Sequence, residues 1–89
     1  MSSMRLAFSS EPAERPLSSM AAGERGVVVA LRAQPSRADR LFALGVTPGA
    51  SITVLQTFPG VVFLCDQTEL AVERGVADAV IVRPAEVRR

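Results

Sequence analysis

The sequence predicts a mainly β domain: a small, partly open barrel of five strands carrying one short helix. Three observations lead there. Short runs of Val, Ile and Leu recur between turn-forming residues, as at 27–31, 52–55, 61–64 and 80–82. Only one stretch, 36–49 (SRADRLFALGVTPG), combines helical spacing with clear stop signals. Finally, 89 residues hold one small domain, whose net stability is roughly 3–5 kcal/mol.

Taken in order, residues 1–16 mix Ser, Glu, Arg and Ala with Pro12 and Pro16 and sustain no period, which predicts a flexible arm. Residues 17–22 form an apolar patch, one helical turn ended by Gly23, with Leu17 and Met20 plugging an end of the core. The run from Gly26 to Leu31 predicts a strand, because consecutive β-branched residues disfavour a helix. Its favoured register buries Val29 and Leu31, leaving Val28 on the other face and Arg32 pointing outward.

After a turn at 34–36, Ser36 is placed to cap the helix, with Asp39 as its partner three residues on. Ala38, Leu41 and Phe42 stand at i, i+3 and i+4, and Leu44 lies one turn past Leu41; Arg37 and Arg40 take the other side. Gly45 suits a left-handed helix end, and Pro48 forbids resumption. Thr47-Pro48-Gly49-Ala50 fits a type II turn with Gly49 at the positive-φ position.

From 51 to 56 polar and apolar residues alternate, burying Ile52 and Val54. Phe58-Pro59-Gly60 turns the chain into the apolar strand 61–66, and Gln67-Thr68 reverses it into a third strand burying Leu70 and Val72. A weak helical turn at 73–79 precedes the last strand at 80–82. The expected organisation is an arm over 1–16, the folded domain over 17–83 and a tail over 84–89. Five short strands with close connections suggest the SH3-like kind of barrel, since closure removes sheet edges that invite aggregation.

Composition excludes most chemistry. There is no His, no Lys and one Cys, so the commonest general base, the Schiff-base amine and a Cys-based metal site are missing together. The nine acidic residues form no pair in an apolar setting. Neither an enzyme nor a resident cofactor is expected. A net charge of +1, with no Trp, Tyr or Lys, argues against nucleic acid. No apolar run nears ~18 residues, so no membrane insertion is expected, and a leaderless chain with one thiol points to the cytoplasm.

Cys65 is expected to be structural, following four apolar residues in a strand. Arg37 and Arg40 are candidates for a partner's carboxylates or a phosphate, with plain solubilising charge as the alternative. Phe58 either presents an aromatic contact at a hairpin tip or folds back over the barrel mouth. Strand edges or Phe58 could also support a homo-oligomer.

The pattern Gly23-x-x-Gly26-x-Val28-Val29-x-Leu31, then Arg40-Leu41-x-x-Leu44-Gly45-Val46-x-Pro48-Gly49-x-x-Ile52-x-Val54, then Leu70-Ala71-Val72 and Ala77-x-x-Val80-x-Val82, resembles the FeoA family. These are small SH3-like proteins of bacterial ferrous-iron transport. The resemblance implies a non-enzymatic accessory protein that docks on the cytosolic part of FeoB, the membrane Fe(II) transporter with a GTP-binding domain. It carries over no metal site. It makes Gly26, Leu41, Leu44, Gly45, Pro48, Gly49, Ile52 and Val54 fold-defining, and leaves Arg37, Arg40 and Phe58 as partner-binding candidates. The family's usual longer hairpin, containing Gly-Asp-Pro, is reduced here to Phe58-Pro59-Gly60. The domain that follows the DNA-binding part of diphtheria-toxin-repressor-type metal regulators is similar in fold. An SH3-like domain of that metal-regulator type, or a self-associating barrel, binding a transition metal ion or another protein, is the alternative reading.

Overall fold

The Val-rich runs become strands, and they join into one antiparallel sheet. The computed structural model describes residues 13–85. In chain order it contains β1 (Arg15–Pro16), a 3-10 turn (Leu17–Ser19), β2 (Arg25–Leu31), α1 (Pro35–Ala43), β3 (Ser51–Gln56), β4 (Val61–Cys65), β5 (Thr68–Val72), α2 (Arg74–Ala77) and β6 (Val80–Pro84). The strands lie in the order β1-β6-β2-β3-β4-β5, so β3, β4 and β5 form the expected meander while β6 returns to the far side of β2.

The sheet has six strands rather than five. Arg15 and Pro16, expected in the arm, pair with Val82 and Ile81 of β6. Two residues, one of them a proline, carry no period to read. The remainder of the expected arm, residues 1–12, lies outside the described residues.

The core gathers Leu17, Met20, Val28, Leu41, Val46, Ile52, Val54, Val61, Phe63, Val80 and Val82, all buried. Leu17 and Met20 plug the core as expected, and Ile52 and Val54 are the inward pair of β3. In β2 the expected face is overturned: Val28 is buried, Val27 is exposed and Val29 is half-buried. The reason is a bulge. Val28 pairs with Val82 but Ala30 pairs with Ile81, so Val29 is an extra residue and the inward face changes across it. Leu31 thereby reaches the core edge although it shares Val29's parity. A second bulge lies between Val54 and Gln56, and Gln56 is exposed although it shares the parity of buried Ile52 and Val54.

Gly26 explains itself by contact. A Cβ there would sit 2.5 Å from the Arg83 carbonyl oxygen and 2.6 Å from Val82 Cγ1, closer than any side chain tolerates. β2 and β6 approach each other only because this position is glycine.

Candidate functional site

The candidate residues fall at the two ends of β3, and α1 builds the first end. α1 starts one residue earlier than its expected cap: Pro35 is at the first helical position, and Gln34 precedes it without a side-chain capping bond. Proline's fixed φ suits that position and its missing N–H costs nothing there. Ser36 therefore lies inside the first turn and is not the cap.

The other end of α1 follows its sequence signals closely. Gly45 has φ +96°; its N–H donates to Phe42 O at 2.9 Å, and the Val46 N–H donates to Leu41 O at 2.9 Å. That pair of bonds is the Schellman arrangement, with the accompanying apolar contact between the residue past the glycine and the last turn. Val46 and Leu41 are both buried. The core position expected for Leu44 is thus taken by Val46, and Leu44, at the helix cap, is 50% exposed. Phe42 is exposed as well, so only Leu41 and half-buried Ala38 attach α1 to the sheet.

The type II turn is present. The Ala50 N–H donates to Thr47 O at 3.0 Å, Gly49 has φ +97°, and its N–H donates to Val28 O at 2.8 Å. Pro48 sits exposed at the turn's corner.

Arg37 and Arg40 are exposed, and with Arg32, Ala33, Gln34 and Ser36 they line one open concavity. Arg32 was legible only as an outward-pointing strand end. Its backbone is held by an N–H bond to Ala79 O at 2.7 Å, which brings it beside the start of α1. Among the described residues the ion pairs are Arg15–Glu24 and Arg83–Glu14; none of the three concavity arginines belongs to either.

Phe58 occupies the opposite end of β3 and is 79% exposed, so it does not fold back over the barrel mouth. Its hairpin is tied down from afar. Arg74 donates to Thr57 O at 2.6 Å and to Ser18 O at 3.2 Å, and Gln56 Nε2 donates to Phe58 O at 3.1 Å. The Phe58–Pro59 peptide is cis.

Cys65 is buried at the end of β4, and its Sγ–H reaches the Gly45 carbonyl at 3.3 Å. Burial, and secondarily the charge of Asp66, push its thiol above its ordinary range, the opposite of an activated nucleophile. The turn after it lies at Asp66-Gln67, one residue earlier than expected, with Asp66 at φ 56° and its Oδ1 accepting the Ser51 N–H at 3.0 Å. Among the described residues no three His, Cys, Asp or Glu side chains cluster as metal ligands.

The fold and its surface define a small SH3-like β protein that exposes arginines toward one end of β3 and Phe58 at the other. The chain belongs to the FeoA family: the family's FeoA domain matches residues 15–84. It is similar to a crystal structure of an iron uptake regulatory protein (FeoA) at 32% identity and TM-score 0.76, covering 82% of this chain and 100% of that one. The solution structure of the FeoA protein from Chlorobium tepidum is 31% identical, with TM-score 0.71, covering 76% of this chain and 68% of that one. A manganese-dependent transcriptional repressor shares the fold at 20% identity and TM-score 0.77, with the match covering 83% of this chain and 43% of the repressor. Comparison with curated protein sequences returns no match. Membership of this accessory family implies a role in ferrous-iron transport. No helix among the described residues is long and apolar enough to cross a membrane.

Proposed function

We propose that this chain is a non-enzymatic cytosolic accessory protein that docks on the cytosolic part of an FeoB-type Fe(II) transporter. The observation that carries the reading is the family match over residues 15–84, joined to likeness with an iron uptake regulatory protein over that protein's whole length. The residues agree with a docking role. Among the described residues no three His, Cys, Asp or Glu side chains cluster, the one thiol is buried and bonded to a carbonyl, and the exposed candidates are two arginines and an aromatic ring. In this reading the sheet over residues 15–84 is the docking domain, and Arg37, Arg40 and Phe58 are the contact residues.

Calorimetry with the cognate transporter's cytosolic domain, with and without guanine nucleotide, tests it. Saturable binding in at least one nucleotide state is expected. Absence of binding in both, with iron uptake unchanged on deletion, would overturn it.

A further inference from the structure

Three arginines that have no ion-pair partner among the described residues line one concavity. Arg32 comes from the end of β2, whereas Arg37 and Arg40 are one turn apart on α1, a separation of about 4.5 Å along the axis. Arg37 and Arg40 therefore leave the helix at successive points along its axis, with Arg32 entering beside them from the end of β2. A single phosphate is better met by groups converging on it, commonly from a glycine-rich backbone. Guanidinium forks also pair two-for-two with carboxylates, and a row of them fits a row of carboxylates.

Leu44 follows them at the helix cap. Arg37, Arg40 and Leu44 stand at i, i+3 and i+7, one stripe of the helix, and Leu44 is half exposed where the helix pattern expected it buried. An apolar step at the end of a basic row has no use for inorganic phosphate, but it suits a polypeptide. α1 adds the same sign: its first turn has no side-chain cap and no acidic residue, so the helix dipole leaves that end positive.

We propose that Arg32, Arg37 and Arg40 form a receptor for an acidic segment of a protein partner, with Leu44 as the apolar step beside it. This deepens the docking reading above and rests on it for the partner's identity. The chemistry of the segment follows from the row itself: carboxylates spaced about one helical turn apart, followed by an aliphatic side chain. Its capture is electrostatic and weakens steeply with salt. The hairpin at Phe58 lies outside this receptor.

Amide chemical shifts of the full chain, titrated with hexaglutamate and separately with inorganic pyrophosphate, test the receptor directly. Hexaglutamate should shift amides between residues 32 and 44, and the shifts should vanish in high salt and in the Arg37→Glu/Arg40→Glu variant. The Arg37→Gln/Arg40→Gln variant should lose most of them while keeping the wild-type spectrum elsewhere; it decides the matter if the charge reversal unfolds the chain. Shifts that are absent, that survive in the variants, or that arise with pyrophosphate alone would overturn the proposal.

A second arm separates the two readings. The charge-reversed variant should bind the transporter's cytosolic domain about tenfold more weakly than wild type. Equal binding by both would sink the receptor and leave docking standing. If the domain binds neither while hexaglutamate still shifts the stripe, docking fails and the receptor stands.

Discussion

The two ends of β3 are built by different means. At the helix end, most fixing contacts are backbone bonds within residues 41–50, joined by bonds from Gly49 to Val28 and from Cys65 to Gly45. Gly45 and Gly49 adopt positive φ, Val46 closes the helix on Leu41, and Gly49 bonds to Val28. About 20 Å away along the strand, the hairpin end is held by Arg74, which joins Thr57 to Ser18 from 17 and 56 residues' distance in the sequence. One end is fixed mostly by its own backbone turns, the other by a side chain brought in from α2. The exposed arginines sit at the end whose backbone is fixed by turns. Phe58 sits on the other, exposed and without a core contact of its own.

Substitutions can break this contrast, and the largest effect belongs at the helix end. Leu41→Ala removes the one fully buried side chain that α1 contributes and should cost about 2–5 kcal/mol in urea unfolding, close to the whole stability of a domain this size. Gly49→Val puts a β-branched residue at φ +97° and should cost about 1–3 kcal/mol, which lowers the melting temperature by roughly 4–8 °C per kcal/mol.

The hairpin end should respond more gently and separately. Arg74→Ala loses two bonds to carbonyls and should cost about 1 kcal/mol, with faster amide exchange around 57–60 and unchanged exchange in α1. If α1 loosens too, the ends are coupled and the contrast fails.

Alkaline pH is a milder probe of the helix end. Burial and Asp66 hold the Cys65 thiol above its ordinary range, so the unfolded chain releases that proton first. The associated stability is complete below the ordinary thiol range and is lost as pH rises through the raised folded value. Urea midpoints should therefore fall on the alkaline side in wild type and stay flatter in Cys65→Ala. The smallest effect is expected from Leu44→Ala, within about 0.5 kcal/mol; a larger loss would restore it to the core.

This division also explains what the sequence disclosed. The helix stop, the type II turn and the inward pair Ile52 and Val54 were legible because each depends on residues within one turn of itself. Val28 and Leu44 were misplaced for reasons that strict periodicity hides. A bulge at Val29 shifts β2's parity, and the Schellman closure hands Leu44's place to Val46. β1 was unreadable because two residues have no period, and the Arg74 tie because its partners are carbonyls, which every residue carries. At the site, Arg37, Arg40 and Phe58 were found as exposed candidates. That the first two share a concavity with Arg32, and that Phe58 stands at the opposite end of β3, depended on the fold.

The bond from Cys65 to Gly45 places the chain's single thiol under the closing turn of α1. The sulfur is buried there, so lifting the turn away from β4 would expose it, and the rate of alkylation would report such openings. The protein therefore carries its own clock for local unfolding at the helix end. A partner gripping the Arg37–Arg40–Leu44 stripe would slow the clock without touching the thiol.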